Sequence, residues 1–273
     1  MSLLEETRQI LRTYSIIPNK LLGQNFIVDG SVFQRLVNYA ALTSNDVVLD
    51  VGAGFGFLTS FLAVKCRVVF AVEKDHSVAS VLNERLSGSA NVTIIKGDVL
   101  TTDLPPFDKV VSAPPYQISS ALLMWLFDRH FDCAVMILQA EFAKRLVANV
   151  GTEDYSWLTV YAYSQGTVEL LDDVPRSTFY PQPEVGSIVV RLTPHVKSEF
   201  NFDNLRLFVQ MLKHVFSERN KKLSNAVLPF AKNVLRLSTD DARLRLRKLP
   251  FYEERVRTLK PEAFGDVAHV LID

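Results

Sequence analysis

A doubly wound α/β domain followed by a small helical domain is predicted by three features of the sequence. Short β-branched runs alternate with amphipathic stretches from Asp46 to Val147, a glycine-rich turn joins the first run to the first stretch, and helical periodicity takes over beyond Pro194. The runs Val47–Val51, Val68–Val72, Val92–Ile95, Lys109–Ser112 and Ala134–Leu138 are apolar on both faces, as strands of a covered parallel sheet must be. Between them the spacing predicts helices over Phe57–Val64, Ser77–Leu86, Ser119–Phe127 and Glu141–Val147. After Gly151 a helix is expected over 157–164, with antiparallel edge strands at 167–171 and 187–192. From Phe202 onward, Leu205, Phe208, Val209, Leu212, Val215 and Phe216 recur at helical spacing, and Leu223, Val227, Leu235, Leu244 and Leu246 continue in shorter pieces. The expected domains are therefore 1–194 and 195–273.

The composition, 48% hydrophobic and 22% charged over 273 residues, is that of a globular chain. Met1 to Arg12 carries Glu5, Glu6 and Arg8 where a secretory leader would be apolar, and the most apolar stretch, 121–140, is broken by Asp128, Arg129, His130 and Asp132. A cytoplasmic protein without a membrane segment is expected, and a monomer. Two cysteines, Cys66 and Cys133, and five scattered histidines give no metal-ligand spacing, so no metal is expected.

The zero net charge is a cancellation. Residues 1–190 hold 14 Lys and Arg against 20 Asp and Glu, whereas residues 191–273 hold 16 against 10. An acidic body joined to a basic module fits a phosphate-bearing partner.

The glycine turn, Asp50-Val51-Gly52-Ala53-Gly54-Phe55-Gly56, follows a strand and opens a helix. Its third glycine comes one position too early for a dinucleotide fingerprint, with Phe57 in the place where that glycine belongs. Asp50 at the strand end would repel a pyrophosphate and suits the ammonium of a methionine moiety. The loop favours S-adenosylmethionine over NAD. Glu73 closes the second strand, where a carboxylate accepts from ribose hydroxyls, and Asp98 follows the third, within reach of an adenine amine. Each acid alone reads as a solvated loop residue. Three acids at three successive strand ends read as a ligand site.

These residues and five further motifs resemble the KsgA-type ribosomal RNA adenine dimethyltransferases, in particular their archaeal and eukaryotic branch, over almost the whole chain. The motifs are Leu22-Gly23-Gln24-Asn25-Phe26-Ile27, Ser112-Ala113-Pro114-Pro115-Tyr116, Glu141 to Leu146, Tyr155-Ser156, and Phe179 to Ser187. The resemblance implies a Rossmann-like class I methyltransferase domain with a helical RNA-binding domain behind it. It implies that Gln24, Asn25 and Ile27 cover S-adenosylmethionine from the N-terminal side while Asp50, Gly52, Gly54, Glu73, Asp98 and Ala113 line its seat. Taken alone, Gln24-Asn25 would read as a polar turn before a helix. The implied activity is dimethylation of adenine exocyclic amines in small-subunit ribosomal RNA, within an immature small subunit. Ala113, Pro114, Pro115 and Tyr116 form the implied catalytic loop; Tyr116 stacks on the target base, with Phe179 or Tyr180 as a second wall.

Two departures qualify this. The family's catalytic motif begins with asparagine where this chain has Ala113, which offers no side-chain acceptor to the amine. Glu184 and Gly186 stand where the family commonly carries a lysine and an aspartate. The basic surface then falls to the tail, in Lys213, Arg219, Lys221, Lys222 and the run Arg243, Arg245, Arg247 and Lys248, with Arg219 to Lys222 expected on a helix near RNA. Beside the methyltransferase stand two other readings: an assembly factor that binds cofactor and RNA without chemistry, and a methyltransferase acting on another adenine-containing substrate. A nicotinamide dehydrogenase is disfavoured by Asp50 and Phe57.

Overall fold

The structure is a computed structural model that describes residues 1–196, 200 and 204–272. Its residues fall into two compact units, Met1–Ala143 with Glu169–Pro194, and Lys144–Val168 with His195–Asp273. The chain passes from the first unit into the second after Pro194. Residues 144–168, however, group with the C-terminal unit and not with the body.

In chain order the first unit contains α1 (Leu3–Thr13), β1 (Phe26–Ile27), α2 (Ser31–Tyr39), β2 (Val47–Val51), α3 (Phe57–Ala63), β3 (Val68–Glu73), α4 (His76–Leu86), β4 (Val92–Lys96), β5 (Lys109–Ser112), α5 (Ser119–Phe127) and β6 (Cys133–Gln139). Helix α6 (Ala140–Leu146) carries the chain into the second unit, where α7 (Trp157–Gln165) lies; β7 (Gly166–Val174) leads back to β8 (Phe179–Tyr180) and β9 (Ser187–Pro194). The second unit continues with α8 (Leu205–Ser217), α9 (Leu223–Asn233), α10 (Thr239–Leu246) and α11 (Ala263–Ile272). The helical start expected at Phe202 lies outside the described residues.

Seven strands form one sheet in the order β4-β3-β2-β5-β6-β9-β7. Pairing is parallel from β4 to β6, and β9 runs antiparallel to β6. The β-branched runs become strands because both faces are covered: every residue of β2 is buried, and Val110, Val111, Val135 and Ile137 are fully so. Chain order reverses between β2 and β5, so loops leaving their carboxyl ends flank a crevice, the place where open α/β sheets bind ligands. A separate two-stranded ribbon pairs β1 with β8, setting Phe26 opposite Tyr180 and Ile27 opposite Phe179. Helix α1 is opened by a capping box in which Ser2 and Glu5 satisfy each other's backbone amides.

The second unit is built around aromatic side chains. Tyr155, fully buried, donates its hydroxyl to the Leu259 carbonyl at 2.7 Å and meets Phe216 edge to face, and Phe216 in turn packs on Phe264. The Tyr155-Ser156 motif thus builds this core. Helix α8 buries Phe208, Leu212, Val215 and Phe216 of the expected stripe, together with Met211, and leaves Leu205 and Val209 half-buried. The expectation that Arg219 to Lys222 lie on a helix is corrected: α8 is capped at Glu218 and α9 begins at Leu223. The backbone between them bonds elsewhere, Val256 N–H donating to the Lys221 carbonyl and Leu223 N–H to that of Glu254.

Candidate active site

The glycine turn after β2 is shaped by close packing. Gly52 takes a left-handed φ of 72°, and a Cβ there would stand 2.8 Å from Cδ of Pro115. The turn and the Ser112–Tyr116 loop therefore touch, and only glycine permits it. At Gly23, also left-handed, a side chain would strike the Gln117 carboxamide, which itself donates to the Lys20 carbonyl at 3.0 Å. These two contacts hold the N-terminal segment and the loop after β5 over the carboxyl ends of the sheet.

Beneath them lie two adjoining cavities. The first, about 620 Å3 counted to its open mouth, is lined by Gln24, Asn25, Ile27, Asp50, Gly52, Gly54, Glu73, Ala113 and Pro115 among others. The second, about 550 Å3, is lined by Leu21, Lys74, Asp98, Val99 and Ile118 and shares Leu22, Gly52, Glu73 and Pro115 with the first. Together they make one trough running past the ends of β2, β3 and β4. All nine residues expected around the cofactor line it.

The three acids differ in setting. Asp50, 1% exposed, accepts from the Thr59 hydroxyl at 2.7 Å, and burial pushes its carboxyl up to about 7. That is a buried acid lacking a cation. Glu73 accepts from the Gly54 and Asp75 amides, both at 2.9 Å, although burial outweighs these bonds and raises its carboxyl too. Asp98 is held below the usual carboxylate range by the Leu100 amide at 3.0 Å, helped by Lys74 at 3.0 Å.

Of the N-terminal residues, Gln24 is braced at both ends of its carboxamide, accepting from the Asn19 amide at 2.8 Å and donating to Asp75 at 2.9 Å. Asn25 donates its Nδ2 to the Gly23 carbonyl at 3.2 Å. A third cavity, about 1080 Å3 with its open mouth, is lined by Lys20, Gly23, Gln24, Asn25, Tyr116, Gln117, Gln139, Gln182 and Glu184 with three prolines. It meets the first cavity at Gly23, Gln24 and Asn25. Tyr116 shares a 2.6 Å hydrogen bond with Ser187, which fixes its ring at the wall of this outer cavity.

Phe179 is placed differently from the expectation. It is 3% exposed, sits in the core with Ile27, Phe33 and Val174, and lines none of the three cavities. Pairing β8 to β1 turns this ring inward, where it supports Ile27. Tyr180 is half-buried beneath the Arg8 guanidinium, 5.0 Å from its ring centroid, and lines none of them either. Gly186 has open space where a Cβ would stand, so no crowding explains the missing aspartate. Three residues escaped the sequence reading: Thr59, which donates its hydroxyl to the Asp50 carboxyl, Gln139 and Gln117. Thr59 carried a signal in retrospect, one helical turn into α3 and facing back to the strand.

In the second unit each of the four expected RNA-binding cations already has a protein contact. Lys213 lies over the Trp157 ring at 4.7 Å, Arg219 donates to the Thr152 and Glu153 carbonyls, Lys221 pairs with Glu218 at 3.0 Å, and Lys222 pairs with Glu253. Arg219 fastens a loop, whereas both lysine pairs are solvent-exposed and exchangeable.

The ribosomal RNA adenine dimethylase family model matches residues 18–246. The chain belongs to the ribosomal RNA adenine dimethylase family. A probable ribosomal RNA small subunit methyltransferase A of Methanosarcina mazei is 38% identical over 268 residues, covering 97% of each chain. Among solved structures, a dimethyladenosine transferase from Plasmodium falciparum superposes with a TM-score of 0.77 at 27% identity, covering 89% of this chain and 96% of that one. The 23S rRNA methyltransferase ErmE gives a TM-score of 0.65 at 27% identity, covering 91% and 100%. The adenine dimethylase fold is thus the class I methyltransferase fold, as expected, and methyltransferases of this fold use S-adenosylmethionine in general. Among the described residues no helix is long and apolar enough to cross a membrane, and no group of side chains could hold a metal ion.

Proposed function

We propose that this chain is an S-adenosylmethionine-dependent methyltransferase that dimethylates adenine exocyclic amines in small-subunit ribosomal RNA, acting as a cytoplasmic monomer on an immature small subunit. The observation that carries this reading is the trough itself. Three strand-end acids line it, and it adjoins, at Gly23, Gln24 and Asn25, a cavity walled by Tyr116.

The donor set fits the cofactor along its length. Asp50 is a buried carboxyl supplied with a single hydroxyl donor, and an ammonium nearby, directly or through water, would return it to its ionised form. Glu73 keeps a lone pair on each oxygen for the ribose hydroxyls after serving two backbone amides. Asp98, beside Lys74, would accept from the adenine amine, and Val99 and Ile118 supply apolar surface for the ring. The cofactor, when bound, supplies an electrophilic methyl group, so no general base or metal is needed. The chain contributes position: Gly52 against Pro115 sets the catalytic loop on the cofactor seat, and Tyr116 offers an aromatic face to an unstacked base. Exposed lysines of the second unit, Lys213, Lys221 and Lys222, supply phosphate contacts by leaving their present partners.

Ala113 supports a second reading, an assembly factor that retains cofactor and RNA without transfer. Supplying labelled S-adenosylmethionine to unmethylated small subunits separates the two: dimethyladenine in the RNA supports the enzyme, and bound cofactor and subunit with no label supports the assembly factor.

A further inference from the structure

We propose that Asn25 supplies the hydrogen-bond acceptor for the target amine that the Ser112–Tyr116 loop lacks at Ala113. This rests on the methyltransferase reading above and assigns one residue within it. An adenine amine delocalises its lone pair into the ring, and an acceptor on its N–H helps the nitrogen pyramidalise toward the methyl group. Such an acceptor must stand where the cofactor cavity meets the cavity of the base. Among the described residues, Gly23, Gln24 and Asn25 alone line both.

The other polar groups nearby are excluded by what they touch. Ser112 is fully buried and lines neither cavity. Gln24 is braced at both ends of its carboxamide, Oε1 accepting from the Asn19 amide and the nitrogen donating to Asp75, so it cannot turn to follow the amine. Gln117 is wedged at Gly23 and tied to Lys20, while Gln139, Gln182 and Glu184 line the outer cavity and not the first. Asn25 remains. Its Nδ2 donates to the Gly23 carbonyl, and since a carbonyl cannot donate, that bond also decides which end of the amide is which and leaves Oδ1 as the end available to a ligand.

In the step itself, the amine nitrogen's electron pair forms the new N–C bond while the C–S bond of the sulfonium breaks, its pair going to sulfur as a thioether. The nitrogen carries the positive charge until it passes a proton to water. Asn25 Oδ1 accepts a hydrogen bond from the amine throughout and takes no proton.

The test compares the parent, Asn25→Ala, Ala113→Asn and the double variant by single-turnover methylation of small subunits at saturating cofactor, with cofactor affinity measured separately. Asn25→Ala is expected to slow transfer about a hundredfold or more, and Ala113→Asn in the same chain to recover most of that loss. A loss that Ala113→Asn leaves untouched, or one removed by raising cofactor concentration, overturns the assignment by making Asn25 a cofactor contact only. A readout without turnover keeps the two proposals apart. With S-adenosylhomocysteine saturating the trough, the parent should bind adenosine on the order of tenfold more tightly than purine riboside, which lacks the amine, and Asn25→Ala should erase the difference. Equal binding of both nucleosides by the parent contradicts the acceptor role. If the parent transfers no methyl yet discriminates the nucleosides through Asn25, the acceptor stands and the catalytic reading falls.

Discussion

The trough and the outer cavity share a wall yet are made differently. Along the trough, three acids stand at three strand ends, each oriented by a specific donor: Thr59 on Asp50, Gly54 and Asp75 on Glu73, Leu100 and Lys74 on Asp98. In the outer cavity the aromatic wall Tyr116 is fixed to Ser187 and Glu184 stands in the lining, while Ala113, which offers no side-chain acceptor, lines the trough. Cofactor capture and target chemistry should therefore be separable by mutation. Sheet topology alone brings strand ends together, whereas the acceptor for an amine depends on one side chain in a loop.

That comparison breaks first at Tyr116. Tyr116→Ala should cut single-turnover methylation by about a thousandfold while cofactor affinity changes less than twofold, because stacking and loop position are lost and the trough is not. Tyr116→Phe, which loses the bond to Ser187 but keeps the ring, should retain most of the rate. A matching loss of cofactor affinity in calorimetry would show the two regions to be one.

On the other side, Glu73→Ala should weaken S-adenosylmethionine binding by about a hundredfold, since two hydroxyl contacts to a charged acceptor and the anchoring of Gly54 go together. Affinity unchanged within error would remove Glu73 from the ribose.

A smaller effect comes from pH. With no cation beside it, Asp50 ionises at about 7, and an ammonium favours the ionised form, so binding expels a proton below that pH. Affinity should be flat above pH 8 and fall by about tenfold at pH 6, and Asp50→Asn should abolish the dependence. A parent profile that is flat from pH 6 to 8 would separate Asp50 from the ammonium.

The smallest effects lie in the second unit. Lys221→Ala and Lys222→Ala should each lower the salt slope of RNA binding by about one ion, the lysines being free to exchange Glu218 and Glu253 for phosphate. Arg219→Ala should instead lower stability by about 1 kcal/mol by releasing the Thr152 and Glu153 carbonyls. A salt slope that Arg219→Ala alone changes would reverse these roles.

Much of the trough was legible because period and position are local properties. Val47–Val51 is a strand in sequence and structure alike, and acids at strand ends inherit their place from the sheet. What was not legible depends on tertiary pairing. Phe179 turned inward because β8 pairs with β1, a contact between residues 152 positions apart. Arg219 became a loop fastener because the chain after α8 bonds to the segment before α11, which no periodicity announces. The place of 144–168 in the second unit likewise follows from burying Tyr155 against Leu259 and Phe216.

The central claim is that the trough and the outer cavity together perform methyl transfer despite Ala113. It is tested most directly by incubating the unmodified protein with labelled S-adenosylmethionine and unmethylated small ribosomal subunits, then digesting the RNA to nucleosides. Label should appear in dimethyladenosine, at a rate that Tyr116→Ala lowers about a thousandfold; cofactor and subunits both bound with no labelled adenosine would show that the site transfers no methyl group.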